Sequence, residues 1–331
     1  MRLLRSALAS ALMTVIGHGV AEAQSHLLIV SGLGGERQYS DAFYEWSIMM
    51  ADAAHMRHGL SPDRITYLAE DPARDTARIN GKSTGPAITA AIRRIGRTSA
   101  PGDQVFILLI GHGTSSVQDS KFSIPGADLG TKEFAAALAS LAGRKVAFVN
   151  ASTASGDFAA ALSGPGRAIV TATKTGFERN EVLFPRFFVR AYAAEGADAD
   201  KDGRVSLLEA FEYARTEVAR TYEEGNKLRT EHALLEDNGD KAGSQEPEMR
   251  KGDGAIARTM FLAPAISAAA AAADPRLATL YRERQAIEDR VAELRRAKDV
   301  MRSADYDARL EQLLVDLALK TREIRVIEGK K

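Results

Sequence analysis

Val105-Phe106-Ile107-Leu108-Leu109-Ile110-Gly111-His112-Gly113 decides how this chain is read. An unbroken apolar run with no polar alternation fits a strand buried on both faces, as in parallel sheets. Gly-His-Gly ends the run and sets a titratable ring at the strand's carboxyl end, where open α/β sheets place their ligands. Similar short runs stand on either side: His26–Val30, closed by Ser31-Gly32-Leu33-Gly34-Gly35; Arg64–Leu68; Lys145–Asn150, closed by Ala151-Ser152-Thr153-Ala154-Ser155-Gly156; and Arg167–Thr173. Helical periods lie between or after them, at Asp41–Met56, Ala87–Ile95, Lys132–Leu141 and Phe184–Ala194. Strand–helix alternation over residues 24–262 predicts an α/β domain, a mostly parallel sheet flanked by helices on both faces.

Composition narrows the chemistry. The 331 residues carry 44 Lys+Arg against 44 Asp+Glu and no cysteine. A balanced charge argues against a nucleic-acid partner, which calls for a basic excess. Absent cysteine removes disulfides, zinc–thiolate sites and any thiolate nucleophile. No dinucleotide fingerprint follows Gly34-Gly35, no Walker-type loop occurs, and no histidine pair has zinc-protease spacing. His55 and His58 flank a helix end, where imidazolium suits the dipole. His26 and His232 have no partner motif.

Asp198-Ala199-Asp200-Lys201-Asp202-Gly203-Arg204-Val205-Ser206-Leu207-Leu208-Glu209 meets every diagnostic position of a twelve-residue EF-hand calcium loop. Asp198, Asp200 and Asp202 would supply carboxylate oxygens, Arg204 its backbone carbonyl, Ser206 a direct or water-borne oxygen, and Glu209 two oxygens. Gly203 permits the sharp turn. Leu207, Leu208, Phe211, Ala214, Val218 and Tyr222 form the stripe of an exiting helix. The expected cofactor is Ca2+, held as a structural clip because only one such loop is visible. Without a metal the same residues would make a solvated acidic turn. Glu236-Asp237-Asn238-Gly239-Asp240 lacks the spacing and reads as a loop, and Gly243–Gly254 reads as a mobile polar stretch.

The order of motifs resembles the caspase–legumain group of cysteine peptidases. A strand ends in Gly-His-Gly, and about forty residues on a second ends in a small-residue turn with Ser155-Gly156. Gly34-Gly35 with Tyr39, Ser83-Thr84, and Leu162-Ser163-Gly164-Pro165-Gly166-Arg167 leading to Thr171-Ala172-Thr173 agree with that order, over roughly Ser25 to Asp240. The resemblance maps the family's histidine onto His112 and its cysteine onto Thr153. An alcohol needs a base in direct contact to attack a carbonyl, whereas a thiolate does not. The leading expectation is therefore a peptidase-like domain that keeps the fold, lacks hydrolytic activity and serves in binding or scaffolding, with a peptide or protein as its expected ligand. The alternative is an active peptidase or hydrolase using Thr153 or a nearby serine, Ser152 or Ser155, with His112, and with Asp157 as an orienting acid.

The chain's ends differ from its middle. A basic start, an apolar run over Ala7–Ile16 and Ala21-Glu22-Ala23 predict a signal peptide over residues 1–23 and a periplasmic or secreted protein. No membrane span is expected after its removal. An alanine-rich linker is expected over 263–275. Beyond it Leu280, Ile287, Val291 and Leu294, then Tyr306, Leu310, Leu313, Leu317, Ile324 and Ile327, form the seam of a helical hairpin over 276–331. Such a hairpin has little core of its own, so it is expected to pack on the domain or to drive self-association.

Overall fold

The computed structural model describes residues 24–116, 119–248, 252–262, 275–296 and 301–327. The expected signal segment and all but the last residue of the expected linker lie outside these residues. The sheet has seven strands: β1 (Ser25–Ser31), β2 (Ile65–Ala69), β3 (Gly81–Lys82), β4 (Gln104–Ile110), β8 (Lys145–Asn150), β9 (Arg167–Thr171) and β10 (Leu234–Glu236). A three-stranded sheet holds β5 (Gly113–Ser115), β6 (Ser120–Phe122) and β7 (Leu129–Gly130). The large sheet runs β10-β9-β8-β4-β1-β2-β3, and every pairing in it is parallel except that of β10 with β9.

The alternation of side chains along each strand builds two cores. Leu27 and Ile29 of β1, Phe106 and Leu108 of β4, and Ala147 and Val149 of β8 face one side. There they meet Phe43 and Met50 of α1 (Arg37–Asp52), Phe184 and Phe188 of α5 (Phe184–Ala193), and Phe211 of α6 (Leu207–Glu224). Leu28, Val30, Ile107, Leu109 and Phe148 point the other way. They pack on Ile88 and Ile92 of α2 (Gly85–Thr98), Phe134 of α3 (Thr131–Leu138) and Phe158 of α4 (Asp157–Leu162). Burial on both faces explains why these strands read as continuous apolar runs.

The chain leaves β1 toward β2 and β3, then returns to β4 on the opposite side of β1. The order therefore reverses between β1 and β4, and their carboxyl ends diverge into a crevice, where a parallel sheet offers a ligand site. The small sheet covers that end. Phe122 is fully buried against Gly111, and a Cβ at Gly32 would meet the Ser123 carbonyl oxygen, so only glycine fits at both positions.

The C-terminal helices α7 (Pro275–Arg296) and α8 (Ser303–Ile327) form the expected hairpin, with Val291, Leu294, Tyr306 and Leu313 buried between them. It touches the domain at the acidic loop: Arg284 Nη1 donates to the Asp202 carbonyl at 3.2 Å and Arg325 Nη2 to the Lys201 carbonyl at 2.7 Å. Among the described residues no helix is long and apolar enough to cross a membrane.

Candidate functional site

The carboxyl ends of β1, β4 and β8 bring His112 and Thr153 into one neighbourhood without joining them. The imidazole of His112 is half-buried and stands edge-on to two rings of α1, Tyr39 at 4.7 Å and Phe43 at 5.1 Å between centroids. Burial pushes its pKa below the ordinary histidine value, against the opposing pull of the Gly34 backbone hydrogen bond and of Glu181 and Glu36. The ring is therefore neutral at neutral pH, the form a general base needs.

The hydroxyl it would have to activate is engaged elsewhere. Thr153 is buried, and its Oγ1 accepts from the Gly113 N–H at 2.9 Å and donates to the Gly113 carbonyl at 3.1 Å. A Cβ at Gly113 would collide with the Thr153 carbonyl oxygen, so the strand after the histidine lies directly against the turn after β8. Two consequences follow. The hydroxyl proton points to a carbonyl and not to a base, as nucleophilic attack would require. The neighbouring Gly113 N–H, which could otherwise stabilise an oxyanion, is spent on the hydroxyl.

The other hydroxyls are structural in the same sense. Ser152 Oγ donates to Asn150 Oδ1 at 2.7 Å. Ser155 Oγ lies 3.1 Å from Thr173 Oγ1 and accepts from the N–H groups of Ala172 and Thr173 at 3.1 and 3.2 Å. Asp157 accepts from Ser120 Oγ at 2.6 Å, so the residue considered as an orienting acid serves the small sheet. Ala154 adopts a left-handed backbone (φ 54°), which for alanine costs about 1 kcal/mol, and its N–H is held by the Glu178 carbonyl at 2.8 Å. Glu178 also bonds His232 Nδ1 at 2.7 Å, giving that histidine a partner no local motif announced.

The acidic loop lies between α5 and α6 and brings three of its predicted carboxylates together, without Glu209. Carboxylate oxygens of Asp198, Asp200 and Asp202 lie within 4.8 Å of one another. Gly203 takes the positive φ of 88° that its turn demands. Asp198 accepts from the N–H groups of Asp202 and Gly203 at 3.0 and 2.9 Å. Glu209 reaches back to the Ala199 N–H at 2.9 Å and to Ser206, with which it forms the capping box of α6. Burial, joined by repulsion from Asp202, raises the Asp200 pKa; burial, joined by Asp200, raises that of Glu209. Arg204 turns its side chain to Asp202 at 3.1 Å and stacks over the Phe261 ring at 3.8 Å, leaving the loop interior to the carboxylates. Beside the loop, Ser206 bridges Phe261 and the Leu207 N–H donates to the Met260 carbonyl at 2.8 Å.

The segment that supplies this bridge is fixed by a clasp of buried carboxylates. Asp237 accepts from the N–H groups of Gly254, Ile256 and Ala257, each at 2.8 Å, and Asp253 accepts from Asp237 N–H at 2.9 Å. The stretch expected to be mobile thus contains a buried anchor, and Ser244 also pairs with Leu235.

No protein-family model matches the sequence, and no curated protein matches it. Among solved structures, protein GSU0716 from Geobacter sulfurreducens is similar at 13% identity and a TM-score of 0.43, covering 68% of this chain and 95% of its own. Caspase-1 from Spodoptera frugiperda is similar at 10% identity and a TM-score of 0.41, covering 65% of this chain and 87% of its own.

Proposed function

We propose that this chain is an exported, calcium-binding protein whose caspase/legumain-like domain binds a peptide or protein segment in the crevice beyond β1, β4 and β8 without hydrolysing it. The observation that carries the reading is the double tie of Thr153 Oγ1 to Gly113, which occupies the hydroxyl and the nearest backbone donor together. Exposed groups near the strand ends favour binding: Phe177 is 74% exposed beside Arg179, whose Nη2 donates to the Ser115 carbonyl at 2.8 Å, and Glu36 and Glu181 lie close enough to act on His112. Asp198, Asp200, Asp202, Ser206, Glu209 and the Arg204 carbonyl would hold calcium, and the three aspartate carboxylates, gathered within 4.8 Å of one another, fit a cation. Bound there, the ion would supply charge neutralisation and rigidity between α5 and α6. Periplasmic or secreted placement rests on the N-terminal sequence.

Incubation of the purified protein with a peptide library, with and without calcium, tests the reading. Peptides retained uncleaved are the expected result. Turnover that disappears in His112→Ala and Thr153→Ala would overturn it in favour of the hydrolase. Calorimetric titration with calcium should give one site, lost in Asp198→Asn and Glu209→Gln; no heat in the wild type would remove the metal.

A further inference from the structure

One face of α8 is buried and another is exposed, its Leu319, Arg322 and Val326 edge lining a groove with Thr279, Leu280 and Glu283 of α7. Its buried side, Tyr306, Leu313 and Ile324, is covered within the structure, and Arg325 reaches the Lys201 carbonyl. The opposite side exposes Leu314 (42%), Val315 (49%), Leu319 (53%) and Val326 (72%), a run of large apolar side chains with Ala318 between them. At 100° per residue these five positions fall in an arc of about 140°, wide enough for a helix to pack on. Glu311 and Arg322 lie near the middle of the same arc, both exposed, and neither takes an ion pair among the described residues.

Charge divides along the helix. Asp305, Asp307, Glu311 and Asp316 stand before residue 317 against Arg309, whereas Lys320, Arg322 and Arg325 stand after it against Glu323. A helix acidic at one end and basic at the other complements a reversed copy of itself. The register also closes. With a two-fold axis between Asp316 and Leu317, Val315 meets the partner's Ala318 and Glu311 meets the partner's Arg322. Leu314 and Leu319 then flank the seam from opposite sides.

We propose that α8 is a homodimerisation surface, pairing antiparallel with α8 of a second copy through Val315, Ala318 and the Glu311–Arg322 ion pairs. The interface is isologous, each contact made twice about the axis. A second copy suits the face because the complementary charges lie on the same helix, in the register that the apolar residues need. This inference is independent of the reading of the crevice and of the metal.

Analytical ultracentrifugation of the purified chain across protein concentration tests it. A dimer is expected, and Glu311→Arg or Arg322→Glu alone should raise its dissociation constant by about a hundredfold, since each places two like-charge contacts in the seam. An equimolar mixture of the two variants should restore a dimer, because one then carries arginine at both positions and the other glutamate. Far-UV circular dichroism confirms that each variant is folded. A wild-type monomer at tens of micromolar, a dimer insensitive to both substitutions, or no rescue on mixing would overturn the proposal. So would a monomer that uses this face for a different protein.

Discussion

Replacing Thr153 with valine deletes one oxygen and keeps the branched shape, so it isolates what that oxygen does. In the native chain Oγ1 serves the Gly113 N–H at 2.9 Å and its carbonyl at 3.1 Å, at a residue 4% exposed. Thr153 is packed closely against this strand: a Cβ at Gly113 would meet the Thr153 carbonyl, the Lys121 carbonyl and the Ser152 hydroxyl. A buried backbone group left without a partner costs about 1–3 kcal/mol. Two such groups, offset by roughly 1 kcal/mol for the added methyl surface, give a net loss near 3 kcal/mol. With a urea dependence of about 3 kcal/mol/M for a chain of this size, the unfolding midpoint should fall by about 1 M. Thr153→Ser keeps the oxygen and loses a methyl worth about 0.8 kcal/mol, a fall of about 0.3 M. Urea unfolding followed by tryptophan fluorescence measures both. A valine variant as stable as the serine one would show that the hydroxyl is not the clamp, and the case against a nucleophilic Thr153 would lose its footing.

Gly113→Ala should be more damaging still, because its Cβ meets backbone oxygens that cannot rotate away; a loss of at least about 3 kcal/mol is expected, visible as a lowered urea midpoint. Glu231 is buried and its pKa is pushed up to about 7 from 4.5, while its oxygens accept from the Leu183 and Phe184 N–H groups at 2.8 and 3.1 Å. Since the folded value exceeds the unfolded one, its contribution is full below about pH 4.5 and is lost as pH rises through about 7, on the order of 3 kcal/mol; Glu231→Gln should flatten the decline in stability between pH 5 and 8. Asp237→Ala strands three N–H groups and should accelerate hydrogen exchange at Gly254, Ile256 and Ala257 well beyond that of the central strands.

The strands were legible where burial is two-sided. Lys145–Asn150 matches β8 to the residue, and Val105–Ile110 lies within β4, because a continuous apolar run leaves few other readings. Phe184–Ala194 was legible for a different reason, its helical period. The elements that escaped are short. α4 has six residues, less than two turns, and β5, β6 and β7 have three, three and two, too few to show any period. α1 begins at Arg37, four residues before its expected start, since a helix's first turn can be polar. In the site, sequence order placed His112 and Thr153 at neighbouring strand ends but could not show that the hydroxyl turns to Gly113. That choice depends on the approach of two backbones made by glycine, a contact across 40 residues. The Asp237–Asp253 clasp was invisible for the same reason: a carboxylate satisfied by backbone N–H groups leaves no pattern in side-chain identity.

The acidic loop and the helical hairpin bear on each other through arginine. Arg204 stands 3.1 Å from Asp202, and Arg258 stands 3.7 Å from Asp200. Two guanidinium groups therefore offset part of the charge that would attract a cation. Arg284 and Arg325, one from each hairpin helix, instead take the backbone carbonyls of Asp202 and Lys201, leaving the carboxylates free to turn inward. A cation entering the loop would compete with the first pair and not with the second, and would be held more weakly than by carboxylates without arginine partners. The carbonyl contacts tie hairpin docking to the loop's backbone shape, which Gly203 and the Met260–Phe261 bridge already fix. The hairpin should therefore stay docked whether or not a cation is bound, and α8 should present the same outer face in both states.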